Sequence, residues 1–162
     1  MYTIRRLYKN KNLNYFIFGP INSHYVNYLF GEDKPHHFDY TKKIIYLNFN
    51  VLLLFIKNFI IIKTKNYNFF SRARYAYALS LIHFLNPKKV ITIIDNSAPF
   101  EFLALNGNSA RDYISIQNGV RWDEYNTSIN DPHSEKIFFG KYDLDNYSEK
   151  FKKYGKYHLY GS

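Results

Sequence analysis

Cysteine is absent from this chain of 162 residues. Without a thiol, disulfide bonds and thiolate chemistry are excluded, and a zinc site would need histidine or carboxylate ligands. The absence fits a reducing compartment, so we expect a cytoplasmic protein. We expect no secretory signal, because the first twenty residues carry Arg5, Arg6, Lys9 and Lys11 and have no sustained apolar core.

Several motifs of nucleotide and hydrolase chemistry are also missing. The chain has no GxGxxG or Walker phosphate loop and no Ser-His-Asp nucleophile elbow. It also lacks a long uninterrupted apolar run. The most apolar stretch, 47–62, is broken by Asn48, Asn50, Lys57 and Asn58, whereas a membrane span needs about 20 predominantly apolar residues. A buried helix or a helix–strand pair is the favoured interpretation.

The formal net charge is +9, with a pI near 9.5. Such a charge favours acidic partners: phosphates, nucleic acid or an anionic membrane surface. Aromatic residues make up 20% of the chain, which would also suit base stacking. However, Lys, Asn, Ile, Phe and Tyr all have A/T-rich codons, so genome composition accounts for much of this pattern. Lys outnumbers Arg and no ribonucleoprotein motif is present, so nucleic acid is a disfavoured partner.

The length suits one α/β domain over residues 1–162. We expect residues 1–12 to be a loose leader, 32–43 a polar connection containing His36-His37, and 44–56 a helix or a strand. Loop histidines of this kind are usually solvated, and their spacing does not indicate a metal site. Strands are predicted at 14–18, 59–62, 136–139 and 157–160. Helices are predicted at 22–30, 71–85 and 143–154.

The region 87–121 carries the clearest pattern. Short apolar, β-branched runs at 90–94 and 113–116 predict two buried strands, with space between them for one helix. Ser97 is a suitable N-cap for that helix, Pro99 fits its first turn, and Asn106-Gly107 would end it. Two strands joined by a helix imply parallel pairing and a right-handed crossover. The predicted fold is α/β, a Rossmann-like open parallel sheet flanked by helices.

Small polar residues follow both of these predicted strands. Asp95-Asn96-Ser97 follows the first, and Gln117-Asn118-Gly119, with Arg121 beyond it, follows the second. In open parallel sheets, ligands bind beyond the carboxyl ends of the strands. Two simpler interpretations stay open. Asp, Asn and Ser commonly cap helices and form turns, and Asn118-Gly119 is also a type I′ hairpin signal.

With these residues in view, the chain resembles a family of bacterial surface-carbohydrate biosynthesis proteins. These proteins make capsule, O-antigen and lipopolysaccharide, and are glycosyltransferase-like with a two-lobed GT-B architecture. The resemblance rests on Pro87-Lys-Lys-Val-Ile-Thr-Ile-Ile-Asp-Asn96, on Ile114-Ser-Ile-Gln-Asn-Gly-Val-Arg121, and on the closing Phe138-Phe-Gly140, Tyr147, Tyr154-Gly155 and Tyr160-Gly-Ser162. It covers roughly residues 70–162, and it implies an amino-terminal, acceptor-side lobe whose donor-binding lobe is absent.

The resemblance also implies roles for the residues after the strands. Gln117, Asn118 and Arg121 would line the cleft between the lobes, and Arg121 could bind a diphosphate bidentately. Asn118 stands where some relatives have a histidine base, but an amide cannot take up a proton at neutral pH. Asp95 is the candidate for orienting a sugar hydroxyl or acting as a base.

The resemblance implies two kinds of partner: a sugar or sugar-phosphate acceptor, and a second lobe or partner protein. The positive charge of the chain adds a third expected partner, a membrane surface at its cytoplasmic face. The chain itself would hold no cofactor, and a nucleotide-sugar donor would serve the complete protein. Two alternatives remain: a non-catalytic remnant or interaction module of the polysaccharide machinery, and a basic nucleic-acid-binding domain.

Overall fold

The computed structural model of the chain describes residues 2–8, 13–21, 26, 28, 30, 33, 35–62, 68–93, 97–107, 111–116, 134–138, 141 and 156–159. These residues include eight strands and three long helices. The strands are β1 (Thr3–Arg6), β2 (Tyr15–Phe18), β3 (His36–Phe38), β4 (Ile44–Leu47), β5 (Lys89–Thr92), β6 (Asp112–Ile116), β7 (Ser134–Phe138) and β8 (Lys156–Leu159). The helices are α1 (Phe49–Ile61), α2 (Phe69–Leu85) and α3 (Ala98–Asn106).

The strands form two parallel sheets. One contains β1 and β4, and the other contains the remaining six strands. Every strand pair whose register is defined is parallel. Together with the helices, this arrangement is the α/β, Rossmann-like open parallel sheet predicted from the sequence.

The chain folds into two compact units, Met1–Lys88 and Lys89–Ser162. The first contains β1 to β4 with α1 and α2, and the second contains α3 with β5 to β8 in the order β5-β6-β7-β8. Compact units of this size can belong to one domain or to two. One domain over residues 1–162 therefore stays a prediction.

Helices α1 and α2 pack against each other in the first unit. Asn58 of α1 donates from Nδ2 to Ser80 Oγ of α2 at 2.9 Å, and both side chains are buried. An asparagine caps the amino end of α1, and another caps the carboxyl end of α2. Asn48 begins α1 by accepting from Asn50 N at 2.9 Å, and Asn86 ends α2 in the left-handed conformation with φ 53°. None of the helices in the described part of the chain is long and apolar enough to cross a membrane.

Three predictions for the first unit are wrong. The expected leader contains β1, which pairs with β4 from Thr3↔Ile44 to Arg6↔Leu47. All four β1 residues are exposed, so no alternation of apolar and polar residues marks this strand in the sequence. The expected connection at 32–43 contains β3, which pairs with β2.

The third correction concerns the strand predicted at 59–62, which is the last turn of α1. The segment before it, expected to be a helix or a strand, contains both, because Asn48 separates β4 from α1. The isoleucines of 59–62 are β-branched and favour a strand locally. However, Val51 and Asn58 of α1 are buried, and their burial stabilises the helix.

The second unit confirms the pattern predicted around residue 97. Strand β5 pairs in parallel with β6 from Lys89↔Asp112 to Thr92↔Ser115, and α3 connects them. Ser97 caps α3, and Pro99 lies in its first turn. The strands predicted at 136–139 and 157–160 correspond to β7 and β8. The helix predicted at 143–154 lies outside the described residues.

A close approach follows the end of α3. A Cβ atom at Gly107 would overlap the phenol oxygen of Tyr113 on β6 and would lie 2.7 Å from the carbonyl oxygen of Leu103. Only glycine fits at this position without a shift of its neighbours. Helix α3 ends at Asn106 with Gly107 as its C-cap, which confirms the predicted helix end, and the steric contact explains why residue 107 is glycine.

Candidate functional site

The carboxyl ends of β5 and β6 lie at one edge of the sheet in the second unit. The two strands are parallel, and Thr92, the last residue of β5, pairs with Ser115 near the end of β6. The predicted ligand-binding segments follow directly in the sequence. Asp95, Asn96, Gln117, Asn118, Gly119 and Arg121 lie outside the described residues, so their convergence stays a prediction.

Ser97 is the one predicted site residue that the structure describes. Its hydroxyl accepts a hydrogen bond from Phe100 N at 3.3 Å, and its side chain is buried. This is the capping role that sequence analysis left open beside ligand binding. A ligand contact of Ser97 stays a prediction, and the observed bond already occupies one of its oxygen lone pairs.

A row of buried polar residues crosses the sheet beneath α3. Thr92, Ser115 and Lys136 occupy the same register position on β5, β6 and β7, so their side chains share one face. That face is covered by α3, because Tyr113 of β6 contacts Phe100 of α3 with ring centroids 6.2 Å apart. All three residues of the row are buried.

The helix contributes a carboxylate to this polar row. Glu101 lies in the first turn of α3, and Lys136 Nζ lies 3.4 Å from its Oε1. The two side chains are only 3% and 2% exposed. Buried charges in a protein require partners of opposite sign. This pair fixes the first turn of α3 beside the strand ends, where the predicted ligand residues follow.

Sequence analysis did not identify this ion pair. In the sequence alone, Glu101 is a favourable charge near the amino end of a predicted helix, and Lys136 is the first residue of a predicted strand. Two signals were present, since Glu101 is the sole charge within 98–106 and Lys136 belongs to a strand with an apolar end. Neither signal identifies the partner, because 35 residues separate the two.

A separate cavity lies in the first unit. It has a volume of about 330 Å³, within the range of small-molecule sites, and its lining includes Arg5, His36, His37, Asp39 and Lys42. The histidines belong to β3 and are partly or largely buried, so their expected position in a solvated loop is wrong. Their pairing with β2 brings them into the sheet.

The two histidines differ in their surroundings. The ring of His36 stacks on Phe16 with centroids 5.6 Å apart, and burial, with a smaller contribution from the charge of His37, lowers the pKa of His36 to about 4. With a pKa this low, His36 is neutral at physiological pH. His37 differs, because its Nε2 lies 2.8 Å from the carbonyl oxygen of Gly19 and donates a hydrogen bond to it.

Asp39 is held in its ionised form at the edge of the cavity. Burial raises the pKa of its carboxyl group, but hydrogen bonds from the Thr41 hydroxyl at 2.6 Å and from Thr41 N at 2.9 Å, with Lys42 Nζ at 3.7 Å, hold it below its usual value. One carboxylate and the two cations Arg5 and Lys42 give the lining a small positive charge. This lining suits a small anion better than a metal ion. Within the described ranges, no group of three or more His, Asp or Glu side chains could hold a metal.

The chain was compared with protein-family models, with curated proteins and with solved structures, and none of these matches it.

Proposed function

We propose that the chain is the acceptor-side lobe of a glycosyltransferase-like protein of surface-polysaccharide biosynthesis. It would bind a sugar or sugar phosphate beyond the carboxyl ends of β5 and β6, for transfer from a nucleotide-sugar donor held elsewhere. The parallel β5–α3–β6 unit is the observation that carries this proposal. In such units, strand ends and a helix amino end meet at one edge, where anionic ligands bind.

The geometry of the second unit supports this proposal in two further ways. Ser97 caps α3 and Glu101 pairs its first turn with Lys136, so two contacts hold the amino end of the helix in place. Catalytic and binding groups need such fixed supports. In addition, Arg121 follows β6 by five residues in the sequence. The alternative to a surface arginine is that its guanidinium supplies the charge that a phosphate requires.

Binding is tested by NMR titration of the 162-residue chain with glucose 1-phosphate and with inorganic phosphate. We expect saturable shifts at residues 94–97 and 117–121 for the phosphosugar. Arg121→Ala should weaken binding by about tenfold or more, because a bidentate guanidinium–phosphate contact is lost. Since the proposal places the donor on another lobe, we expect no sugar transfer by the chain alone.

Arg74→Ala is the matched control, because Arg74 is an exposed cation on α2 in the other unit. It should leave the affinity unchanged. Equal weakening by both variants would mean that the ligand senses only net charge, and shifts confined to the cavity around His36 would place the binding site in the first unit. Either outcome would reject the proposed site.

A further inference from the structure

The outer face of α1 is apolar and exposed. Five large side chains form this stripe, and each is between 49% and 72% exposed: Phe49, Leu52, Leu53, Ile56 and Ile60. At 100° per residue they lie within an arc of about 100° along the helix. Soluble proteins seldom leave a continuous apolar stripe of this length in water unless another surface covers it.

The opposite face of α1 already has its partner. Val51 and Asn58 lie half a turn away from the stripe and are buried, and Asn58 bonds to α2. The stripe is thus the face that α1 does not use within the first unit. At its amino end the stripe continues into a groove of about 510 Å³, to which Ile4, Arg6 and Leu47 of the small sheet contribute.

The charge of the chain is concentrated in the same unit. Residues 1–88 contain 13 of the 22 Lys and Arg but only 3 of the 13 Asp and Glu, which gives +10, whereas residues 89–162 sum to −1. From residue 40 to residue 94 there are nine basic residues and not one Asp or Glu. Two of the cations border the stripe: Lys57 on α1 and Arg6 in the groove.

We propose that this stripe is a docking surface for an anionic phospholipid bilayer. The apolar side chains would enter the boundary between headgroups and acyl chains, while Lys57, Arg6 and the remaining positive charge of the unit meet the lipid phosphates. With 13 residues, α1 is about 20 Å long, shorter than the roughly 30 Å hydrocarbon core, so it lies along the surface.

The chemistry of the stripe favours lipid over the other possible occupants. Nucleic acid would satisfy the charge, but four of the five stripe residues are aliphatic and have no ring on which a base could stack. A second copy of the chain would cover the apolar area. However, it would bring together two first units that each carry a net charge of +10 and repel each other. An anionic bilayer satisfies both features at once.

The test is co-sedimentation of the full chain with phosphatidylcholine vesicles, with and without phosphatidylglycerol. We expect binding that needs the anionic lipid and weakens with salt. Leu52→Glu should lower the partition coefficient by about tenfold or more, because it puts a charge into the apolar contact. Leu105→Glu is the matched control: Leu105 also lies on a helix, is 54% exposed against 52% for Leu52, and belongs to the second unit. It should bind as the unchanged chain does.

Three outcomes would overturn this proposal. The first is equal loss of vesicle binding in both variants, which would indicate a response to net charge alone. The second is a dimer in sedimentation equilibrium that Leu52→Glu dissociates, without vesicle binding, which would make a second copy the occupant. The third is saturable RNA binding that persists at high salt and is lost in Leu52→Glu.

Discussion

Acidification from pH 7 to pH 4.5 is expected to lower the free energy of unfolding by about 2.5 kcal/mol through His36 alone. The pKa of this side chain is about 4 in the folded chain, against an ordinary value of 6.5. Between these two values the unfolded chain binds a proton that the folded chain does not. The contribution of His36 is therefore fully present above pH 6.5 and is lost as the pH falls towards 4.

His36→Phe isolates this effect. The phenyl ring can keep the stacking on Phe16 and the edge contact with Tyr46, whose ring centroid lies 4.7 Å away. The variant also removes the buried Nε2, which has no hydrogen-bond partner within the described part of the chain. The free energy of unfolding of both proteins is measured with urea at pH 7 and at pH 4.5. Between these two pH values it should fall by about 2.5 kcal/mol less in the variant than in the unchanged chain.

His37→Phe serves as the control for that comparison. It removes the neighbouring imidazole and its bond to Gly19, so it should lower stability at all pH values. Most of the dependence that His36 causes should remain, because burial is the larger cause of its lowered pKa. An NMR titration of the His36 ring gives the direct measurement, with a midpoint near pH 4 expected. If the free energy of unfolding of His36→Phe depended on pH as that of the unchanged chain does, His36 would not be the source of the acid destabilisation.

The second large effect concerns the buried ion pair of the second unit. Lys136→Met should destabilise the chain by about 3–5 kcal/mol, because it removes the cation that lies 3.4 Å from the buried carboxylate of Glu101. Glu101→Leu should cost a similar amount, because it removes the anion beside the buried ammonium group of Lys136. The double variant replaces both charges by apolar groups, so its free energy of unfolding should be far closer to that of the unchanged chain. The effects of the two single substitutions should therefore be non-additive by several kcal/mol.

Lys42→Met is the matched control for this double-mutant cycle. Lys42 forms the same type of pair with Asp39 at 3.7 Å, but its side chain is 51% exposed. Exposed pairs contribute about 0–1 kcal/mol, so urea unfolding should show a small change. The prediction for the buried pair fails if Lys136→Met and Lys42→Met have equal cost.

The parts of the fold that could be predicted from sequence are those whose signals are local. The run at 90–94 is apolar and β-branched, and Ser97 with Pro99 begins the next helix by well-known capping chemistry. Parallel pairing with β6 then follows from the crossover length. Asn86 before a proline likewise predicts the end of α2.

The parts that were missed depend on partners far away in the chain. Strand β1 forms because β4 lies beside it, some forty residues later, and its exposed side chains leave no periodic signal. His36 resembles a loop residue until β2 pairs with its strand. The Glu101–Lys136 contact combines two unremarkable charges, and only the packing of α3 on the sheet brings them together.

For the candidate site, only the strands that lead to it can be compared with the prediction. Strands β5 and β6 end at a common edge, as predicted. The polar segments that follow them lie outside the described residues, so the site stays a prediction. The role of Ser97 could be predicted only as a choice between capping and binding, since the same hydroxyl performs either task. In the structure, this hydroxyl accepts the capping bond from Phe100 N.

The contact between Gly107 and Tyr113 has a consequence for how this protein can diverge. Any side chain at 107 collides with the phenol ring and with the carbonyl oxygen of Leu103, so a single substitution there disturbs both α3 and β6. A smaller residue at 113 would relieve only the first collision and would remove the ring that packs on Phe100. Evolution can therefore alter this corner only by coordinated changes, and related sequences should show positions 107 and 113 varying together or not at all.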